Sequence, residues 1–178
     1  MALTTYTAGE VLTAASLNDN FTFAAANPSA PATAMFNETQ SSGTNGGSSS
    51  AAWTKRVLNT TVANDITGCS IAASVITLTA GTYDIWAIAP AYSAGEFKLK
   101  LRDTTNTSDA IIGSSERNGV GTGNCTISTV QGRITPSGST NYEVQMYCIN
   151  AAGTVGFGVA AGFGVSEIYT QIKIVKVA

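Results

Sequence analysis

An all-β fold, an antiparallel sandwich or barrel with the jelly roll preferred, is what the sequence predicts beyond a short N-terminal helical or extended anchor. Two-residue alternation is the first reason. Phe97, Leu99 and Leu101 alternate with Lys98, Lys100 and Arg102, and Tyr142, Val144, Met146 and Cys148 alternate with Glu143, Gln145 and Tyr147, the pattern of strands with one buried face. Punctuation is the second: Ala80-Gly81, Ala94-Gly95, Asn118-Gly119, Pro136-Ser137-Gly138 and Ala152-Gly153 recur between the apolar runs as turn signals. The third is that no helical apolar repeat follows the first thirty or so residues.

Taken in order, residues 1–30 form the anchor. Thr13 is placed to cap a short helix, Leu12 to staple back onto it, and Leu17 and Phe21 fall four residues apart on one face, with Tyr6 and Val11 ahead of them. So small an element buries nothing by itself and reads as an attachment device; a helix packed on its own domain is the alternative. Asn27-Pro28-Ser29-Ala30-Pro31 ends it. Residues 31–52, rich in Ser, Gly, Thr and Asn with Gly46-Gly47 and Ser48-Ser49-Ser50, read as an extended linker trapped along a symmetric assembly. Residues 53–178 form the head. Its expected strands cover 53–60, 71–78, 82–92, 97–102, 110–115, 125–135, 142–148 and 168–174.

Composition narrows the chemistry. The 178 residues suffice for one good core. Only 11% are charged and the net charge is -2, so Ser, Thr, Asn and Gly must carry solubility. With nine Lys and Arg scattered singly or in pairs, no basic patch is available for nucleic acid. There is no histidine, which removes the commonest general base and the commonest metal ligand, and no metal is expected. Cys69, Cys125 and Cys148 are far apart and odd in number, so they read as buried free thiols rather than a zinc site or a disulfide framework. The most apolar segment, residues 155–165, is too short and glycine-rich to span a bilayer, and no membrane insertion is expected.

The motifs that could carry chemistry weigh against an enzyme. Gly156-Phe157-Gly158 and Gly162-Phe163-Gly164 superficially resemble a dinucleotide loop, but strands lie on both sides where a helix should follow, so no cofactor is implied. Their glycines suit close backbone approach, and Phe157 and Phe163, with Tyr147 and Tyr169, are candidates for packing between subunits; the domain core is the alternative. Asp84, Glu96, Asp103, Asp109, Glu116, Glu143 and Glu167 are isolated in sequence and suit solvated roles better than paired catalysis. Near strand ends, Tyr92, Arg117 and Asn118 are candidate receptor contacts. Trp86, mid-strand beside Ile85, reads as core or intersubunit packing.

Two resemblances complete the reading. Tyr6, Gly9, Val11 to Ala15, Leu17, Asn18, Asn20 and Phe21 resemble the N-termini of bacteriophage tail-fibre and head-fibre proteins. Trp53 to Asn59, Ile76 to Ile85 and Glu167 to Lys176 resemble the jelly-roll heads of complement-globular-head and tumour-necrosis-factor-like trimers, which phage fibres also use. Together they imply a non-enzymatic homotrimeric fibre or knob, assembled in the host cytoplasm into the virion. Its implied partners are other virion proteins (capsid, portal or tail) and a host surface glycan or protein, and its action adhesion or surface decoration. A capsid cement protein is the near alternative, and a glycan-degrading tailspike the enzymatic one.

Overall fold

The structure, a computed structural model, describes residues 5–11, 13–18 and 31–177. The chain divides into two units, Met1–Pro31 and Ala32–Ala178. In the first, residues 14–18 are helical. Thr13 caps them: its hydroxyl accepts the Ser16 amide at 3.2 Å and its carbonyl accepts the Leu17 amide at 3.1 Å. Val11 is exposed and Leu17 more than a third exposed. Tyr6 is half-buried, and Leu12 and Phe21, the remaining expected anchor residues, lie outside the described residues.

The second unit is a jelly-roll sandwich. Its strands are β1 (Thr33–Gln40), β2 (Thr54–Lys55), β3 (Thr60–Asn64), β4 (Ser70–Ala72), β5 (Val75–Leu78), β6 (Tyr83–Tyr92), β7 (Glu96–Asp103), β8 (Ser108–Arg117), β9 (Cys125–Ile134), β10 (Thr140–Cys148) and β11 (Glu167–Lys176). One antiparallel sheet runs β3-β1-β11-β6-β9 and the other β4-β5-β10-β7-β8, with β2 on β10. Phe36, Ile85, Val130, Ile172 and Ile174 of the first sheet meet Ile76, Leu78, Leu99, Leu101, Val144 and Met146 of the second. Each comes from one phase of a two-residue alternation, so burial of that phase drives the sheets together.

The sheets are also joined by side chains where β8 and β9 meet. The pairing of β7 with β8 shifts register between Lys98 and Lys100. The Leu99 amide at that irregularity donates across to Ser128 Oγ at 3.0 Å, and that hydroxyl donates to the Ser114 carbonyl at 2.8 Å. Gly113 sits at the same point because a Cβ there would lie 2.6 Å from the carbonyl oxygens of both Leu99 and Thr129.

Three expectations are corrected. Residues 32–52 belong to the head and are not a linker: β1 is an interior strand, and residues 46–50 run along residues 148–158, with Gly46 N to Gly158 O at 3.0 Å, Phe157 N to Gly47 O at 2.9 Å and Ser49 N to Ala152 O at 3.0 Å. The glycines that suggested flexibility permit close approach instead, since a Cβ on Gly46 would lie 2.5 Å from the Phe157 carbonyl oxygen. The strand expected over 53–60 is only the short β2, because Arg56 turns into the core. That expected over 71–78 is a hairpin whose turn, Ala73 and Ser74, has φ of 48° and 62°. Neither is a usual residue for that geometry, but Ser74 Oγ accepts the Leu58 amide at 3.0 Å and the Ala73 carbonyl accepts Lys55 Nζ at 2.9 Å.

Candidate functional site

Strand direction gives the head two different ends. At the first, Thr33, Val175, Asp84 and Arg133 lie in register, the Ala32 carbonyl accepts the Lys176 amide at 2.9 Å, and the Thr82 carbonyl accepts the Val177 amide at 2.9 Å. The chain therefore enters and leaves this unit at one end. The other end carries the loops after Gln40, Tyr92, Arg117 and Cys148. Val120, Ile149, Val159, Phe163 and Val165 are exposed there, Phe163 at 85%.

These loops are braced from within. The Glu167 carboxylate accepts backbone amides of Gly162 at 2.8 Å and of Gly43 and Ala161 at 3.1 Å each. Those donors, Gly162 first, hold its pKa below the ordinary glutamate value. Asn45 Oδ1 and Ser42 Oγ accept the amides of Ala160 and Gly164, so the Phe163 loop is held at its base and carries its aromatic ring outward. Asn118 is a second brace: Oδ1 accepts the amides of Ala94 at 2.6 Å and Gly95 at 3.2 Å, while Nδ2 donates to the Ala91 carbonyl at 2.8 Å. Beside it an open cleft of about 600 Å3 is lined by Glu96, Arg117, Asn124 and Thr126.

Beneath the loops lies a buried ion pair. Arg56 and Glu38 expose 0% and 1% of their side chains. Arg56 Nη2 donates to Glu38 Oε2 at 3.1 Å and to the Phe157 carbonyl at 3.0 Å, and Nε donates to Thr170 Oγ1 at 2.8 Å. Thr170 completes the ring by donating to Glu38 Oε2 at 2.8 Å, and the guanidinium stacks 4.0 Å above the Phe157 ring. Burial lowers the Arg56 pKa to about 10 against the opposing pull of Glu38, leaving it charged at neutral pH. The cluster joins β1, β11, the segment after β2 and the loop containing Phe157. Sequence reading missed it, although the phase Ala34, Phe36, Glu38 already placed Glu38 on the buried face.

The outer face of the β3-β1-β11-β6-β9 sheet mixes polar and apolar side chains. Register sets Met35, Lys173, Trp86 and Gln131 in one row, Asn37, Gln171, Ile88 and Thr129 in the next, and Pro90 beside Ile127 beyond. Trp86 is 39% and Ile127 50% exposed. Arg133 and Asp84 form a bidentate pair at the margin, at 2.6 and 2.8 Å, which lowers the Asp84 pKa through its hydrogen bonds to Arg133.

The expected site residues therefore separate. Phe157 and Tyr169 are buried within one chain, Phe157 beneath Arg56 and Tyr169 with its hydroxyl donating to the Thr44 carbonyl at 2.7 Å, which corrects their placement between subunits. Tyr147 lies on the outer face of the other sheet, edge-on to Trp53, and Phe163 at the loop end; these four do not form one surface. Asn118 is buried and spent on backbone, which corrects its placement as a receptor contact. Arg117 is exposed and paired with Glu96 at 3.3 Å, while Tyr92 is half-buried. Trp86 is partly exposed rather than core.

All three thiols are free; Cys69 and Cys148 are buried, as expected of structural thiols, whereas Cys125 is exposed, which corrects its reading as a buried one. Burial raises Cys69 and Cys148 to about 11, and partial desolvation also raises Cys125, so none carries a nucleophilic signature. Among the described residues no group of His, Cys, Asp and Glu is arranged to hold a metal ion, and no helix is long and apolar enough to cross a membrane.

No family model matches the chain, and no curated protein sequence matches it. Solved structures do. The globular domain of zebrafish complement 1qA protein aligns with a TM-score of 0.53 at 10% identity over 84% of this chain and 98% of that one. Murine APRIL aligns with a TM-score of 0.53 at 10% identity, over 82% and 98%. The PRD1 vertex protein P5 aligns with a TM-score of 0.51 at 16% identity, over 84% and 99%. At these identities the likeness is one of fold, and it establishes the chain's second unit as a jelly-roll head.

Proposed function

We propose that this protein is a non-enzymatic structural protein of a bacteriophage virion, a homotrimer joined to the particle through residues 1 to about 30 and displaying its head for adhesion or surface decoration. The observation that carries the reading is the head's polarity: the chain enters at one end and the exposed apolar loops stand at the other. An N-terminally tethered module would present those loops away from its attachment. The likeness of the N-terminal residues to phage fibre proteins supports the particle, and the fold shared with the PRD1 vertex protein supports a virion role. That last likeness equally favours the decoration form of the proposal, in which the head stays close to the shell.

Trimerisation is assigned to the outer face around Trp86. Trp86, Ile88 and Pro90 of β6 and Ile127 of β9 offer a short apolar strip, with Lys173 and Gln171 of β11 along one side and Gln131 and Thr129 of β9 beside it, an apolar centre with polar surroundings. Buried apolar area contributes about 25 cal/mol per Å2 toward such association. Sedimentation of the full chain should give a trimer, and Trp86→Lys should give a folded monomer, because it removes the largest apolar group of the strip and sets a second ammonium directly beside Lys173. A parent that is monomeric at micromolar concentration, or a trimeric Trp86→Lys variant, refutes the assignment. For the anchor, Leu17→Ala should leave a trimer of normal thermal stability that is depleted from purified particles. Unchanged incorporation would place the attachment elsewhere.

A further inference from the structure

A second surface near the loop end is built differently from the trimer face. Across β10, β7 and β8 the register brings Tyr147, Lys98 and Ser115 into one row. Trp53, just before β2, stands beside that row with its ring 5.8 Å from the Tyr147 ring at 65°, and Lys100 Nζ lies 4.0 Å from the indole centroid. The same ammonium is held by Asp109 at 2.8 Å. The indole is thus fixed between a tethered cation and a second ring, yet it remains 40% exposed. It lines a groove of about 390 Å3 together with Tyr147, Ile149, Phe97, Lys98, Glu96, Ser115 and Glu116.

From this groove we infer a binding site for a neutral saccharide of about disaccharide size. Fixed, partly exposed aromatic rings offer a platform to the apolar C–H face of a sugar at little cost in side-chain ordering. The rim supplies what sugar hydroxyls require: Glu96 and Glu116 accept, Lys98 donates, and Ser115 does both. Charge selects the ligand class. Glu96 is paired with Arg117, and the lining carries one further cation, Lys98, and one further carboxylate, Glu116, so with Arg117 counted the groove has no net charge and favours an uncharged ligand over an acidic glycan or a phosphate. Arg117 stands beside this groove as the partner of Glu96, and the groove's aromatic component is Trp53 and Tyr147.

The inference rests on the proposed display of the loop end, and its test is separable from that of the proposal. The full-length protein is applied to an array of neutral and acidic glycans, with chitohexaose, cellohexaose and maltohexaose titrated in solution by calorimetry. The expected result is saturable binding of a neutral oligosaccharide, weakened at least about tenfold by Trp53→Ala. Ser115→Arg, which fills the groove from an exposed position without deleting packing, should weaken it similarly even if Trp53→Ala fails to fold. Val62→Thr, on β3 of the other sheet, should bind as the parent does. Absence of neutral-glycan binding by a folded parent, preference for acidic glycans, or equal affinity in Ser115→Arg overturns the site. So does a change of oligomeric state in that variant, which would make the groove a subunit contact. Sedimentation of Trp86→Lys and particle incorporation of Leu17→Ala report on the trimer and the anchor independently of this groove.

Discussion

Removing Arg56 should be as damaging as truncating a large core side chain, and the structure gives the reason and the scale. Arg56→Ala strips Glu38 of its counter-charge while the carboxylate remains 1% exposed, and it leaves Thr170 Oγ1 and the Phe157 carbonyl without their donor. Breaking one side of a buried pair costs about 3–5 kcal/mol. At about 2–4 °C per kcal/mol for a chain of this size, the melting temperature should fall by about 6–20 °C. The compensated variant discriminates between charge and packing. Arg56 Nη1 and Glu38 Oε1 have no hydrogen-bond partner among the described residues, so the pair is incompletely satisfied and its net contribution is smaller than the cost of breaking it. Glu38→Leu, Arg56→Met and Thr170→Val together should therefore recover most of the loss, to within about 2 kcal/mol of the parent. Thermal and denaturant melts at one fixed protein concentration measure both variants. An Arg56→Ala protein melting within a degree or two of the parent would refute the argument, and so would a triple variant as unstable as the single one.

Two further outcomes follow from the loop braces. Because the Glu167 pKa is lowered in the folded state, its stabilising contribution is present above the ordinary value of 4.5 and is lost as the pH falls through the depressed native value. The protection of the Gly43, Ala161 and Gly162 amides against hydrogen exchange, taken relative to the intrinsic rate at each pH, should therefore fall selectively on acidification below that range, and Glu167→Gln should weaken it already at neutral pH; equal protection across the titration would show that the carboxylate does not hold them. Asn118→Ala should cost about 1–3 kcal/mol, since the Ala94 and Gly95 amides lose their acceptor in a buried setting, and a melt indistinguishable from the parent would assign the bracing of that turn elsewhere.

The strands were legible because their signal is local. β6, β7, β9, β10 and β11 fall within two or three residues of the stretches expected from alternation and turn residues, and burial of one phase is enough to produce them. The hairpin at Ala73-Ser74 was not legible, because its left-handed backbone is stabilised by Ser74 Oγ and Lys55 acting from elsewhere in the fold rather than by the Gly or Asn that usually marks such a turn. Asn118 was misread for a related reason. Next to Gly119 and beside Arg117 it looks like part of an exposed tip, and only the return of the Ala91 to Gly95 turn gives its amide three backbone partners.

The Ser/Gly tract shows where composition stops being informative. Few side chains and permissive φ make residues 41–52 inexpensive to extend and equally suited to lie against another backbone. Which outcome is realised depends on whether a second segment with the same tolerance is within reach. Here it is: a Cβ on Gly156 would overlap the Ser49 side chain, and one on Gly46 would press on the Phe157 carbonyl. Two glycine-bearing segments about a hundred residues apart therefore permit one another's position. Their joint product is a fixed loop end, held by Glu167 on one side and by the Arg56–Glu38 cluster beneath. That bracing suits exposed Phe163 and Trp53 to make contacts, since side chains on a braced base lose little freedom when a ligand or partner covers them.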